Sequence, residues 1–319
     1  MDRCIYCGGE IVYNYLDKRY CKEHFIEYFE RKTLDTIYKY NLLRPGEHVV
    51  VAVSGGKDSL SLLYILQKYR NELGIDVTAL LIDEGIKGYR DITIKDFMEA
   101  NKELKANYKI ISYKDIFGKT LDEILEISNE KGLPTYACSY CGVFRRYLLN
   151  IGARILDGDV LATAHNLDDI IQTYLLNIFV NSVERILHLR PRTESATHKN
   201  FIHRVKPFYE MLEMETTLYS MLKNLYPRFI ECPYAPQAFR NDIRNYINQL
   251  EEEAPGFKYK ILKSLLITLE RFGYREPPKI NTCKVCGEPT SQEICRTCRY
   301  LDDLGLLNNL ILWIGEANI

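Results

Sequence analysis

The amino-acid sequence predicts an α/β protein with a doubly wound parallel sheet and a small cysteine-rich module at each end. Two observations lead to this prediction. Apolar segments of strand length alternate with segments of helical periodicity in the middle of the chain. Close pairs of cysteine, or of cysteine and histidine, lie before and after that region. We therefore divide the chain into an N-terminal module (1–30), a central domain (31–276) and a C-terminal module (277–319).

The first strand of the central domain and the turn after it predict an anion site. Residues 49–53 are apolar and mostly β-branched, as in a strand buried on both faces. Helical spacing of leucines begins soon afterwards. The turn between them contains Ser54, Gly55, Gly56, Lys57, Asp58 and Ser59. Backbone N–H groups and the positive end of a helix favour a phosphate at such a turn, and we expect Asp58 or Ser59 to be the N-cap residue.

This turn differs from the common mononucleotide-binding loop. That loop requires a glycine five residues before a Gly-Lys-Ser/Thr sequence. Here Val51 occupies the place of the first glycine, and Asp58 follows Gly56-Lys57.

The remaining elements follow in alternation. Predicted strands are 77–82, 108–112 and 160–164. Predicted helices are 25–43, 58–72, 91–106, 119–131, a segment ending near 157, 170–180, 212–224, 237–252, 258–272 and a terminal helix after 306.

Residues that end the parallel strands are expected to surround the ligand, because ligands of such sheets bind beyond the carboxyl ends of the strands. We expect Ala52, Asp83, His165 and Asp168 to lie there with the glycine-rich turn. The pair Asp168 and Asp169 has two interpretations, which the sequence leaves open: the carboxylates cap the helix that follows, or they bind Mg²⁺ beside a triphosphate.

Two cysteine-rich sets predict structural zinc. Each consists of two closely spaced pairs, which supply the four nitrogen or sulfur ligands of a tetrahedral ion. The N-terminal set is Cys4, Cys7, Cys21 and His24, and the C-terminal set is Cys283, Cys286, Cys295 and Cys298. We therefore predict two Zn²⁺ ions per chain, each folding a small knuckle.

The net charge of −1 gives no overall signal for a nucleic-acid partner, so any such partner must bind a local patch. Residues 185–206 contain six Lys or Arg residues and three His residues. They are predicted to form a loop, which either binds phosphates or is simply solvated. No apolar run approaches the roughly 20 residues that span a bilayer, and the N-terminus is not a signal peptide, so a cytoplasmic protein is expected.

The chain resembles a known family over nearly its whole length. The Ser54–Ser59 turn resembles the pyrophosphate loop of enzymes that cleave ATP between its α and β phosphates. With both knuckles it resembles the tRNA 2-thiolation enzymes of the TtuA type, their wobble-uridine relatives and the more distant TtcA cytidine thiolases. Further matching segments are Cys138-x2-Cys141-Gly142, residues 163–169, Lys206-Pro207-Phe208 and Glu231-Cys232-Pro233.

The resemblance implies an adenine nucleotide alpha hydrolase-like fold and a set of site residues. Cys138, Cys141 and Cys232 match three ligands of a 4Fe–4S cluster whose fourth iron stays open. Lys57, Asp58 and Asp168 match residues that bind ATP and serve catalysis. Arg145 matches a position that is lysine in some bacterial members. A homodimer, a tRNA substrate and a sulfur donor, either sulfide or a ubiquitin-like thiocarboxylate protein, are implied as well.

The function predicted from these residues is ATP-dependent 2-thiolation of a tRNA uridine. Two routes for the sulfur remain open: a cluster-bound sulfide, or a persulfide on Cys141 or Cys232. The cysteine pair precedes Gly142 and two arginines, a setting that predicts a low thiol pKa. Alternatives are a ligase of the lysidine synthetase type, a cytidine 2-thiolase, or a non-enzymatic RNA-binding protein. We expect tRNA to lie across residues 185–206 and the helix start at Arg145 and Arg146.

Overall fold

A computed structural model describes residues 3–134, 136–193, 198, 200–225, 228, 230–235, 240–271 and 280–317 of the chain. It opens with the antiparallel strands β1 (Tyr13–Tyr15) and β2 (Lys18–Tyr20), followed by the helix α1 (Lys22–Lys39). Cys21 is the N-cap residue of α1, so His24 lies in the first turn of that helix. The predicted start at residue 25 was therefore too late, and the predicted boundary at residue 30 falls inside α1.

The central sheet of the described residues has five parallel strands. They are β3 (His48–Val53), β4 (Asp76–Asp83), β5 (Asn107–Ser112), β6 (Val160–Ala162) and β7 (His203–Val205). The strand order is β5-β4-β3-β6-β7. Because β4 and β6 pair with opposite sides of β3, the order reverses there, and the carboxyl end of β3 is the switch point where ligands bind. The predicted doubly wound sheet is confirmed.

Helices cover both faces of this sheet. In chain order they are α2 (Lys57–Leu73), α3 (Arg90–Leu104), α4 (Tyr113–Phe117), α5 (Leu121–Glu130), α6 (Ala137–Ile155), α7 (Leu167–Phe179), α8 (Val183–Ile186), α9 (Glu213–Leu222), α10 (Arg240–Glu253) and α11 (Phe257–Arg271). Val49 and Val51 of β3 pack into a core with α1, α2, α7, α9 and α11, and Val50 packs into the core on the opposite face with α4, α5 and α6. None of the described helices is both long and apolar enough to cross a bilayer.

The C-terminal module packs on the second of these cores. It consists of β8 (Asn281–Thr282), β9 (Pro289–Thr290), α12 (Arg296–Leu304) and α13 (Leu307–Ala317). Leu301 and Leu310 are fully buried there, and Tyr300 lies edge-on to Tyr140 of α6 with ring centroids 4.9 Å apart. The predicted linker at Pro277-Pro278, and with it the boundary at 276, lies outside the described residues.

A buried carboxylate fastens the N-terminal module to the central domain. Glu215 of α9 accepts hydrogen bonds from the hydroxyls of Tyr13 and Tyr28, each at 2.9 Å, and pairs with the ammonium of Lys32 at 2.6 Å. All of these partners come from β1 and α1, and Glu215 has no exposed surface. Because removing a partner of a buried charge is costly, this contact fixes the position of the module.

The basic segment 185–206 is more ordered than a loop. It contains a 3₁₀ turn (Leu187–Leu189) and β7, the last strand of the sheet. The guanidinium of Arg192 donates to the carbonyl of Leu42 at 2.7 Å, and that of Arg190 donates to the carbonyl of Leu269 at 3.1 Å. The prediction of a loop was therefore wrong for this part, and both arginines bind the fold itself. Residues 194–197 and 199 lie outside the described residues.

Candidate active site

The glycine-rich turn lies at the switch point of the sheet, directly after β3. The Ser54 N–H donates to the hydroxyl of Ser59 at 3.1 Å, and the Gly56 N–H donates to the hydroxyl of Ser54 at 3.3 Å. Gly55 has a φ of +80°, and a Cβ there would lie 2.0 Å from the carbonyl oxygen of Thr93. Only glycine fits this position. Gly56, rather than Asp58 or Ser59, is the N-cap residue of α2, which corrects that prediction.

Lys57 begins α2 between two carboxylates. Its ammonium lies 2.9 Å from Asp58 and 3.4 Å from Glu213 at the start of α9. Burial alone would lower the pKa of Lys57, but the two carboxylates raise it, so the ammonium stays charged. Asp58 also accepts a hydrogen bond from the hydroxyl of Thr216. The turn therefore presents a fixed cation and the N-terminus of a helix to a phosphate.

The two acids after β6 have structural partners. Asp169 forms a capping box with Asn166 at the start of α7, and desolvation raises its pKa to about 6. Asp168 pairs with the ammonium of Lys258 and accepts from the N–H of Glu213 at 2.8 Å. Of the two interpretations left open, capping of α7 fits Asp169, whereas the partners of Asp168 lie on α9 and α11. Both oxygens of Asp168 are engaged, and the residue ties α7 to α9 and α11.

A group of cations surrounds His165. Desolvation, with Lys206, Arg240, Arg204 and Arg146 nearby, lowers the pKa of His165, although its side chain reaches solvent. In the part of the chain that the structure describes, none of these four cations has a carboxylate within 4.0 Å, whereas Arg90, Arg154 and Arg192 each do. Burial and Arg204 lower the pKa of Lys206 to about 7. We call these four residues the cationic group; such a group favours an anionic ligand.

Ala52 and Asp83 occupy the expected edge of the sheet but differ in their contacts. Ala52 is the half-buried penultimate residue of β3. Asp83 ends β4, where its carboxylate accepts from the N–H of Gly85 at 2.8 Å and so shapes the turn after the strand. Both remain predicted nucleotide-binding residues.

The three remaining cysteines approach one another beside the glycine-rich turn. Cys138 and Cys141 lie in the first turns of α6, and the thiol of Cys138 donates to the carbonyl of Tyr234 at 3.8 Å, which brings the segment of Cys232 alongside. Burial raises the pKa of Cys141 and of Cys232, contrary to the predicted low pKa. Cys138 is exposed and the other two are half-buried.

The three thiols are not all as close to one another as the ligand atoms of the two knuckles. A tetrahedral zinc ion with Zn–S bonds of about 2.3 Å holds its sulfur ligands about 3.8 Å apart. Among the described residues, only the two knuckles bring their ligand atoms within 4.8 Å of one another. Cysteines that bind different irons of one cluster have no need of such close contact, and thiolates are the ligands that Fe–S clusters use.

Arg145 links the cysteines to a buried acid. One of its nitrogens, Nη2, donates to the sulfur of Cys141 at 3.1 Å, and Nε lies 2.5 Å from Oε1 of Glu84. Sequence reasoning missed Glu84, Glu213 and Lys258. Glu84 follows Asp83 at the end of a predicted strand, and this position could have indicated from the sequence that it lies at the site. The other two belong to helices far along the chain, and nothing local indicates that they reach the site.

Both knuckles have the geometry of a tetrahedral metal site. The Sγ atoms of Cys7 and Cys21 are 3.7 Å apart, and those of Cys283 and Cys298 are 3.9 Å apart. Both values match the sulfur spacing around zinc. The predicted sets Cys4/Cys7/Cys21/His24 and Cys283/Cys286/Cys295/Cys298 are the two groups whose ligand atoms meet.

Known proteins resemble this chain over most of its length. A family model for the PP-loop domain matches residues 26–251. A probable sulfurtransferase of Methanocaldococcus jannaschii is 36% identical over 299 residues, covering 92% of this chain and 86% of its own. Cytoplasmic tRNA 2-thiolation protein 1 of Oryza sativa subsp. japonica is 37% identical over 290 residues, covering 89% and 77%.

A solved structure extends the likeness to the fold. The U34-tRNA thiolase NcsA from Methanococcus maripaludis, determined with its 4Fe-4S cluster, superposes with a TM-score of 0.81 at 32% sequence identity. The match covers 95% of this chain and 96% of that one.

Proposed function

The chain belongs to the PP-loop domain family and, within it, to the tRNA 2-thiolation proteins, and from this premise we propose that it is an ATP-dependent sulfurtransferase that makes 2-thiouridine in tRNA. One observation carries the proposal. The phosphate-binding turn at the end of β3 and the cysteines at the start of α6 share one edge of the sheet, with Arg145 between Glu84 and Cys141. Adjacent sites for ATP and for sulfur are what thiolation of a carbonyl requires.

The first half of the reaction uses the turn. ATP binds with its phosphates on the backbone N–H groups at the start of α2 and on Lys57. The O2 oxygen of the uridine attacks the α phosphorus, and pyrophosphate leaves. Positive charge fixed at the turn stabilises the charge that develops on the phosphates. The oxygen, now bonded to AMP, is a leaving group.

The second half replaces that oxygen. A sulfur nucleophile attacks C2, the C2–O2 bond breaks, and AMP departs with the oxygen. When bound to Cys138, Cys141 and Cys232, a 4Fe–4S cluster would supply an open iron that holds the sulfur. Arg145 places a guanidinium beside Cys141 and keeps positive charge next to the sulfur ligands. Because arginine stays protonated, this position holds charge and does not carry a proton.

In the proposed enzyme, Mg²⁺ and Zn²⁺ bind at separate sites. Mg²⁺ accompanies the phosphates, and the partly exposed carboxylates of Asp58 and Glu213 flank Lys57, which makes them better candidate ligands than the fully engaged Asp168. Zn²⁺ occupies the two knuckles. The sulfur comes from sulfide or from a ubiquitin-like thiocarboxylate protein, and the enzyme acts in the cytoplasm as a homodimer.

The tRNA is proposed to meet the cationic group defined above. Arg146 is exposed on α6 five residues after Cys141, and Arg204 on β7 donates to the carbonyl of Arg146 at 3.2 Å. Phosphates held there would place the target base near the cysteines. The relative of known structure is a U34 thiolase, so we propose the wobble uridine as the target.

Nucleoside analysis tests the function. tRNA from a deletion strain is digested and analysed by mass spectrometry, and we expect loss of 2-thiouridine that returns on complementation with the wild-type gene. Mapping of the site should place it at the wobble position. A strain that keeps all its 2-thiouridine, or that loses 2-thiocytidine or lysidine instead, would contradict the proposal.

A further inference from the structure

A line of buried polar contacts runs from the phosphate-binding turn to the cysteines, and Glu84 lies at its centre. Glu84 directly follows β4 and has no exposed surface. Its Oε1 atom lies 2.5 Å from Nε of Arg145, and its Oε2 atom lies 2.5 Å from Nε of Arg90. Arg90 is itself only 2% exposed. A single carboxylate therefore holds two guanidiniums that point in different directions.

The outer ends of the two arginines reach the two halves of the site. Nη1 of Arg90 donates to the carbonyl of Ser54 at 2.6 Å, in the phosphate-binding turn. Nη2 of Arg145 donates to the sulfur of Cys141 at 3.1 Å, in the first turns of α6. Four successive polar contacts thus connect the backbone of the turn to a cysteine sulfur, and in each of them the two groups contact each other directly.

The charges of this line favour a single arrangement. One carboxylate between two guanidiniums leaves a net positive charge, which faces the sulfur of Cys141. Glu84 and Arg90 are buried charges, and a buried charge that loses its partner is strongly penalised, so Arg90 cannot leave Glu84 without a replacement partner; the side chain of Arg145 is 39% exposed. Contacts between charged groups in such surroundings also reinforce one another. A shift of the Ser54 carbonyl is therefore passed on to Arg90 and Glu84, and through Glu84 to Arg145.

We propose that Glu84 is a positioning residue that couples nucleotide binding at the turn to the structure of the cysteine-bearing start of α6. Phosphates bound at the turn fix the peptide units next to the Ser54 carbonyl, and with it Arg90, Glu84 and Arg145. By linkage, an ordered cysteine site strengthens nucleotide binding to the same extent. The proposal rests on the proposed function only in that the turn binds ATP.

Hydrogen exchange followed by mass spectrometry tests this coupling in the full-length protein. The probe is α,β-methylene-ATP, which cannot be cleaved between those phosphates. In the wild type we expect a saturating concentration to slow amide exchange in peptides covering 137–146 by about fivefold or more, because coupling energies between sites are commonly of that size. In Glu84→Gln we expect this slowing to disappear, while exchange at the turn itself is still slowed.

A matched control separates coupling from general loss of stability. Glu288 is also a buried acid that faces α6, and it pairs with Arg154 at 2.5 Å, but it lies at the C-terminal knuckle. Glu288→Gln should keep the full effect of the nucleotide on 137–146. If Glu84→Gln does not fold, Glu84→Asp decides. This substitution keeps the charge but shortens the side chain, so the nucleotide should slow amide exchange at 137–146 less than in the wild type.

Two results would overturn the proposal: equal slowing in the wild type and in the Glu84 variant, or no slowing at 137–146 in the wild type although titration calorimetry shows binding. Neither result bears on whether tRNA is thiolated, which nucleoside analysis decides separately. Loss of thiolation with the coupling intact would leave this inference standing and reject the proposed function.

Discussion

At the scale of single residues, some charged side chains of the site have oppositely charged partners and others do not. Lys57 has two carboxylates beside it, whereas Lys206 hydrogen-bonds to the carbonyl oxygens of Arg190 and His188 and has Arg204 nearby. The first lysine keeps its proton over the whole working range. The second loses it near neutral pH. The two residues therefore respond differently to substitution and to pH.

Lys57→Ala should lower the rate of ATP cleavage to AMP and pyrophosphate by about 100-fold or more, because it removes the fixed cation at the phosphates. The rate is measured by separating labelled nucleotides in the presence of tRNA. Lys68→Ala is the control, since Lys68 lies on the same helix and pairs with Glu30 away from the turn. ADP and phosphate as the wild-type products would contradict the assignment of the turn.

Lys206→Met should change how stability depends on pH. Burial and Arg204 lower the pKa of Lys206 to about 7 in the folded protein. Above that pH the unfolded chain binds one more proton than the folded one, so this lysine makes the free energy of unfolding rise with pH. Between pH 7 and 9 the wild type should gain about 2 kcal/mol relative to the variant.

Urea unfolding followed by circular dichroism at both pH values measures this difference. Lys68→Met serves as the control, because its carboxylate partner raises the pKa of Lys68 and it should show no such gain. If the difference in the free energy of unfolding between wild type and Lys206→Met stays constant from pH 7 to 9, Lys206 remains protonated in the folded protein over that range and the prediction is wrong.

At the scale of elements, long apolar segments were predictable and short polar ones were not. Strand β3 has six residues, of which the last five form a continuous apolar run, and its place was clear from the sequence. Strand β7 has three residues, two of them His203 and Arg204, and it forms only because β6 provides a parallel partner. The two knuckles were predictable because the spacing of zinc ligands is set locally, by one turn of chain at each pair.

Metal analysis should find about two zinc ions per chain in aerobically purified protein, as two complete four-ligand sets require. Cys21→Ala and Cys298→Ala should each remove one zinc and destabilise the adjoining module, since such modules depend on the metal to fold. Cys232→Ala is the control and should keep both ions. Full activity in a folded sample without zinc would contradict this role.

The cationic group should set the salt dependence of tRNA binding. Arg146→Ala and Arg204→Ala are each expected to lower the slope of log affinity against log salt by about one unit, as for a lost phosphate contact. Arg192→Ala is the matched control, because that guanidinium binds the Leu42 carbonyl and the Glu47 carboxylate. It should lower the melting temperature and leave the slope unchanged. The opposite pattern would place the RNA at Arg192 instead of at the cationic group.

At the scale of the whole molecule, the site is a meeting of segments that are distant in sequence. Arg145 and Glu84 are 61 residues apart, and Lys258 and Asp168 are 90 apart. Residue types and motif spacing indicated the turn, the cysteines and the edge of the sheet. They could not indicate these pairings, because ion pairs between helices depend on how the helices pack.

The cysteine site should bind about four irons per chain after anaerobic reconstitution, the stoichiometry of one 4Fe–4S cluster. Cys138→Ala, Cys141→Ala and Cys232→Ala should each abolish the visible absorption. Cys286→Ala is the control and should keep it, because that thiol belongs to the C-terminal knuckle. Full thiolation by iron-free wild-type protein would instead indicate a persulfide on Cys141 or Cys232.

The attachment of the N-terminal module to Glu215 has a consequence for synthesis of the protein. Tyr13, Tyr28 and Lys32 leave the ribosome before their shared partner, which is translated 183 to 202 residues later. Domains fold from the N-terminus as they emerge. The first knuckle therefore has to hold its shape alone, with its tyrosines uncovered, until α9 is made. If it binds the zinc predicted for it, we expect early metal delivery to protect this segment of the nascent chain from aggregation and proteolysis.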